Sequence, residues 1–377
     1  MQTQTWQNRL QQKIAERHFQ SIVASTAQDL RPKPTPLTIA VQVMACAILL
    51  TPIPVAALGV WIILTGDFSW VGTIVGGCVL GVAWVLLPPA GRLGHMPLTR
   101  AEMPALFDLI DELADRMGAP RVDVLVVDAS FNAFMARVGW RRSRVLGIGL
   151  AMWQILEHDE RLAILAHELA HEVNADPARG VLVGSAEHTL QSWIQVWLPG
   201  PRDTFERHAG TLEALAELGM EAVGRLLILF LRGFYLLRMR ESQRAEFYAD
   251  LLAAKTAGTG PMISALQKLV SGDFVAILAQ RAIPRGDGAG AAWMRGLKQQ
   301  LTETYADHIN QAIGNLEKER SSIDESHPPT HLRIALLKTH ERYPSTDLSV
   351  DWAQIDAELE PFLESAGRAV MSEPGLL

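Results

Sequence analysis

Residues 165–176 read LAHELAHEVNAD, with His167 and His171 four positions apart and Glu168 directly after the first histidine. Positions four apart on an α-helix share one face, so both imidazoles can reach a single metal ion. Glu168 points about 100° away from that face. It can therefore take a proton from a metal-activated water without itself coordinating. This is the HExxH spacing of zinc peptidases. The plain alternative is a polar patch on an ordinary helix. The flanks favour the metal: ERLAILAHELAHEV contains no Gly or Pro, and Leu162, Ile164, Leu165 and Leu169 supply an apolar face. Histidine and glutamate buried on such a helix are costly without partners, and a metal ion satisfies them.

Zinc at a catalytic site takes a third protein ligand and keeps one position open for water. Glu172, Glu187, Glu206, Glu213, Glu217, Glu221, Glu241 and Glu246 all compete for that place. Glu187 is the nearest plausible one in sequence. ESQRAEFYADLLAAK is the better source, because Glu246 and Asp250 stand four apart and face one way on an otherwise apolar helix. The competing view of that pair is two solvated carboxylates on a surface face.

The elements that must position these groups are legible in outline. Residues 98–118 read as a helix with a Thr99 cap and a Gly118 stop. RVDVLVVDAS and SRVLGIGLAM read as two strands around a polar turn containing GWRRS, and the metal helix follows. An extended substrate can pair with a sheet edge beside the metal in such an arrangement. After residue 261 the pattern is helical and polar, broken by PRGDGAGA. From about residue 345 it is acidic and predicts an exposed helix.

The 377-residue chain carries 34 Lys and Arg against 41 Asp and Glu, and no basic stripe stands out, so nucleic acid is not its partner. Its mean hydropathy is positive, and the reason is local. No charged residue occurs from Pro34 to Gly66, and after Asp67 none occurs until Arg92. Each stretch can cross a hydrocarbon core, which needs about 20 apolar residues. The pair, joined by TGDFSW, predicts a transmembrane hairpin with its first arm kinked at Pro52 and Pro54. The apolar run starts too late and runs too long for a signal peptide. Before it, WQNRLQQKIAERHFQSIV predicts an amphipathic helix. Arg9, Lys13, Arg17, Arg31 and Lys33 precede the hairpin, Arg92 and Arg100 follow it, and only Asp67 lies in its loop. The positive-inside rule thus puts both flanks in the cytoplasm. Cys46 and Cys78 fall inside the spans and read as small apolar residues. Two further apolar stretches lie between 181 and 240, where Arg225 and Arg232 leave an interfacial helix as credible as a span.

HELAHEVNAD together with SQRAEFYAD resembles the HtpX-like membrane zinc metallopeptidases, a group related to the CAAX prenyl endopeptidases. FNAFMA at 131–136 and HPPTHLRIALL at 327–337 are similar to two further motifs of that family. The resemblance implies one zinc ion on His167, His171 and Glu246, with Glu168 as base and Asp250 orienting an imidazole from behind. Asp176 also matches. It implies that Asn132, Ala133 and Phe134 line the substrate cleft, and that His327, then Arg333, faces the oxyanion. The resemblance runs from the hairpin to about residue 340. A second membrane pair is usual in HtpX-type members between the histidines and the third ligand, and Arg232 departs from it here.

The expected fold is α+β and mainly helical: a zincin-type domain with a small sheet beside the metal helix, fused to an N-terminal transmembrane hairpin. The expected organisation is an amphipathic segment (1–36), the hairpin (37–90), the peptidase domain (91–340) with a membrane-associated insertion at about 181–240, and an acidic helical tail (341–377). The expected function is a multi-pass membrane zinc endopeptidase of the bacterial inner membrane, with its catalytic domain cytoplasmic. It would cut misfolded or damaged membrane proteins, with polypeptides and the lipid bilayer as partners. Two other functions compete: a prenyl-protease-type processing enzyme, and a membrane-anchored zinc sensor. Three ligands with an intact Glu168 speak against the sensor, because a structural zinc site is normally closed by a fourth side chain.

Overall fold

The computed structural model describes residues 6–23, 35–88, 97–139, 142–174, 181–198, 211–282, 286–316 and 327–373. In chain order the first helices are α1 (Trp6–Val23), α2 (Pro36–Leu50), α3 (Pro52–Thr65), α4 (Trp70–Val85) and α5 (Pro104–Met117). Strands β1 (Val124–Asp128), β2 (Ala133–Val138) and β3 (Ser143–Gly149) follow. Next come α6 (Leu150–Ile155), α7 (His158–Val173), α8 (Val181–Trp197), α9 (Thr211–Ala257), α10 (Thr259–Lys268) and α11 (Gly272–Arg281). The last are α12 (Ala289–Asn315), α13 (Thr330–Thr339) and α14 (Trp352–Ser372). The architecture is mainly helical with one three-stranded sheet. Two compact units are present: residues 1–33, 92–176 and 242–377 form one, and 34–91 with 177–241 form the other.

In the first unit the sheet order is β1-β3-β2, with β1 parallel and β2 antiparallel to β3. Two strands were expected. The third, Ala133–Val138, begins within the FNAFMA segment, alternates too weakly to announce a strand, and is held by pairing along β3. Phe134 lies across Gly147, where any Cβ would collide with its ring, so glycine there lets the aromatic cover the strand. Strand β2 is an edge, and α7 packs against it, α5 and α10.

Helix α5 starts at Pro104 rather than at a Thr99 cap. Thr99 instead turns back on itself, its N–H donating to Glu102. The first turn is capped from a distance: the N–H groups of Ala105 and Leu106 donate to the Glu358 carboxylate at 2.8 and 3.1 Å. Gly118 ends the helix as expected, in the left-handed conformation at φ 65°. Glu358 lies on α14, which is not the exposed helix anticipated. Ile355, Leu359, Leu363, Ala366 and Val370 are buried in the core, because its apolar residues fall on one face beneath an acidic one. The 259–281 region also departs from the polar expectation. It is apolar enough to cross a membrane, yet Met262, Ala265, Leu266, Val275 and Ala279 have no exposed surface, which marks it as core helix.

The second unit contains α2, α3, α4 and α8. Residues Pro36–Thr65 form a 30-residue apolar helical stretch, long enough to cross a membrane, that divides at Thr51 ahead of Pro52. Helices α3 and α4 pack together. Gly59 and Gly76 meet at the crossing, where a Cβ on Gly59 would sit 2.9 Å from the Gly76 carbonyl oxygen. Trp61, Trp70 and Trp84 are exposed along this pair. Within the same unit Thr35 and Thr38 donate their hydroxyls to Glu241 at 2.8 and 2.5 Å. Helix α9 is 47 residues long, and its part from Ser242 onward, which carries Glu246 and Asp250, belongs to the first unit.

Candidate metal centre

Helix α7 is set by a capping box, Glu157 and Glu160 each closing on the other's backbone N–H, and from His158 to Val173 it meets no breaker. His167, Glu168 and His171 are all buried on it, their donor atoms within 4.8 Å of one another. The two Nε2 atoms lie 3.3 Å apart. The carboxylate of Glu246, fully buried on α9, approaches both: Oε2 is 3.4 Å from His167 Nε2 and Oε1 is 3.5 Å from His171 Nε2.

These distances test whether a metal fits. Ligands 2.0–2.1 Å from a tetrahedral ion stand about 3.3–3.4 Å from each other. The two imidazole nitrogens stand at that spacing, and each has a different oxygen of the Glu246 carboxylate at nearly the same distance; two imidazoles and one carboxylate are the donor chemistry of a catalytic zinc. Glu187, the other carboxylate weighed from sequence, lies on α8 and pairs with Arg238 at 3.3 Å.

A row of charges stands behind the triangle. His167 Nδ1 is 3.0 Å from Asp250 Oδ1, and Arg333 grips Asp250 with two bonds, Nε at 2.7 Å and Nη2 at 2.6 Å. Burial pushes the His167 imidazole down, but the carboxylates of Asp250 and Glu246 outweigh it and raise its pKa to about 9. Burial likewise pushes Asp250 up, and Arg333 and His167 nonetheless hold it below the usual carboxylate range. Arg333 is raised against its own burial by Asp250. Nε and Nη2 of Arg333 are committed to Asp250, Nη2 also lies 3.5 Å from Glu246 Oε2, and the residue is 5% exposed. His327 stays nearer the opening. Its side chain is 26% exposed and its Nδ1 is 2.7 Å from Glu246 Oε2.

Glu168 has a partner that sequence did not reveal. Its Oε2 accepts the N–H of Met135 at 3.0 Å, from the middle of β2. One turn on, Glu172 accepts from Arg137, two residues further along the strand, at 2.6 Å from Nη2. No local signal links these pairs, which come from segments more than 30 residues apart. Ala133 opens β2 next to them and Asn132 precedes it, Asn132 exposed, Ala133 buried and Phe134 half-buried. Asp176 lies outside the described residues.

A model of Peptidase family M48 matches residues 101–341, more than half of the chain. The Protease HtpX homolog of Pyrobaculum calidifontis is 27% identical over 239 residues, covering 62% of this chain and 67% of its own. Protease HtpX of Pseudomonas entomophila is 29% identical over 287 residues, covering 74% and 86%. The Protease HtpX homolog of Halobacterium salinarum is 28% identical over 256 residues, covering 66% and 81%. No solved structure matches. The matched stretch takes in the histidines of α7, the carboxylates of α9 and the arginine of α13, and the chain belongs to Peptidase family M48, as an HtpX-like metallopeptidase.

Proposed function

We propose that this metalloprotease is a membrane-bound, zinc-dependent endopeptidase of zincin type that cuts misfolded or damaged membrane proteins. The triangle of His167, His171 and Glu246, with Glu168 beside it, carries this proposal. Zinc held there would supply Lewis acidity and bring the ionisation of a bound water towards neutral pH. The chain's own residues do the rest. Glu168 takes the proton at a carboxylate oxygen and passes it to the leaving amine. Asp250 accepts from His167 Nδ1 and so fixes the tautomer that leaves Nε2 free to ligate. Arg333 keeps Asp250 charged and in place. His327, partly open to solvent, donates to the developing oxyanion. Asn132, Ala133 and Phe134 form the start of the edge on which an extended substrate lies.

The membrane assignment rests on Pro36–Thr65 and on the apolar surface of α3 and α4, where Trp61, Trp70 and Trp84 are 60%, 77% and 76% exposed. A bilayer removes that surface from water. The basic residues on both flanks favour a multi-pass inner-membrane protein with its peptidase unit cytoplasmic.

The test is Glu168→Gln, which keeps the size and removes the base. The variant should bind as much zinc as wild type and cut an unfolded membrane protein in detergent about 10²–10⁴-fold more slowly. A wild-type rate would remove Glu168 from the mechanism. Equal zinc content in wild type and His167→Ala would remove the metal site.

A further inference from the structure

Strand β2 pairs with β3 through alternate residues. The Asn132 carbonyl accepts from Gly149 N–H, so the backbone groups of Phe134 and Ala136 face β3, and those of Ala133, Met135 and Arg137 face outward. Helix α7 meets that outward edge with two carboxylates. Glu168 takes the Met135 N–H at 3.0 Å, and Glu172 takes the Arg137 guanidinium through Nη2 at 2.6 Å and Nε at 3.2 Å.

The spacings match. Four residues of helix rise about 6 Å, and two residues of strand rise about 6.7 Å. Two carboxylates one turn apart on α7 therefore fall opposite two successive outward positions of β2. The Glu172 side chain is 11% exposed and is shared with Arg144, whose Nε lies 3.6 Å away on β3. The Glu172 carboxylate is sheltered although Arg137 is exposed; two nitrogens of Arg137 bond to it and the Arg144 guanidinium stands beside it, features that separate it from an isolated surface ion pair.

We infer that Arg137 and Glu172 are positioning residues: their ion pair holds the open edge of β2 at the distance from α7 that keeps the Met135 N–H on Glu168. The restraint aims the Glu168 carboxylate, and it does so with substrate on the site as well as without, because the pair itself lies one turn further along α7. This inference rests on Glu168 being the base, as proposed above.

The experiment compares Glu172→Ala, Arg137→Ala and Arg137→Lys in the full-length zinc-loaded protein. Glu172→Ala removes the acceptor for both arginines, whereas Arg137→Ala leaves Arg144 to compensate in part. Amide hydrogen exchange at Met135 is read first, since it does not depend on activity. Exchange should quicken at least tenfold in Glu172→Ala, less in Arg137→Ala and little in Arg137→Lys. The Phe134 and Ala136 amides, which face β3, should stay protected in all three. On a polypeptide substrate kcat should fall about tenfold in Glu172→Ala with KM within twofold, because the edge itself survives and only the aim of the base is lost. Arg137→Lys should keep most of kcat.

Met135 exchange and kcat unchanged in Glu172→Ala would overturn the positioning role. So would equal loosening of Phe134 and Ala136, which would make the pair a general brace of the sheet. Failure of the underlying mechanism looks different: Glu168→Gln would then cleave like wild type whatever the Met135 amide does.

Discussion

At the scale of single residues, the site is a relay of buried charges rather than three isolated ligands. Arg333 fixes Asp250, Asp250 fixes His167, and His167 presents Nε2 beside His171 and Glu246. A buried carboxylate between an arginine and an imidazole is tolerated because both neighbours are bonded to it. Removing one leaves the others desolvated and unpaired. Asp250→Asn should accordingly weaken zinc binding by about 10–100-fold, the usual cost of losing a carboxylate behind a histidine ligand. Competition against a chromophoric chelator measures this directly. An unchanged affinity would mean that the His167 tautomer is set by something other than Asp250.

At the scale of elements, the helices of the peptidase unit are capped and braced by groups far away in sequence. Glu358 on α14 closes the first turn of α5, and Glu364 does the same for α12 by accepting the Ala291 N–H at 2.8 Å. Gly290 and Gly367 let the backbones of α12 and α14 approach where a side chain would collide. A side-chain cap is worth about 0.5–2 kcal/mol. Glu358→Ala should lower Tm by about 2–4 °C for a unit of this size. Glu360→Ala, two residues on, breaks only a half-exposed pair with Arg295 and should change Tm by less than 1 °C, about the value of a surface ion pair. Thermal unfolding of the two variants side by side checks the contrast. Equal shifts would show that α14 packs on α5 without capping it.

At the scale of the whole molecule, the chain leaves the peptidase unit twice, at residues 34–91 and 177–241, and both excursions belong to the same second unit. Helix α9 makes the second return without interruption, so Glu246 follows the end of the second unit by only five residues. Were both arms of the expected hairpin to cross the membrane, its two flanks would share one side, and the basic residues of both flanks favour the cytoplasm. A reporter fused after residue 100 should be active in the cytoplasm, and one inserted beside Asp67 should not. The reverse pattern would move the peptidase unit across the membrane and change its substrates.

What the sequence determined by itself was local. The His167–His171 spacing, the Glu168 offset, the Gly118 stop and the long uncharged stretches are set by 3.6 residues per turn, backbone sterics and hydropathy, which act within one element. The mainly helical class with a small sheet was legible for the same reason. Tertiary structure decided the rest. Eight glutamates could have closed the triangle, and only packing brought the Glu246 carboxylate within 3.5 Å of both histidines. Strand β2 exists because β3 offers a partner, Arg333 meets Asp250 because folding brings α13 to the end of α9, and α14 is core because α5, α11 and α12 receive its apolar face. The β2–β3 partners are 5 to 15 positions apart, and the others join residues some 80 to 250 positions apart. Their free energy comes from contacts that no window of the chain contains, so periodicity and propensity were silent on them.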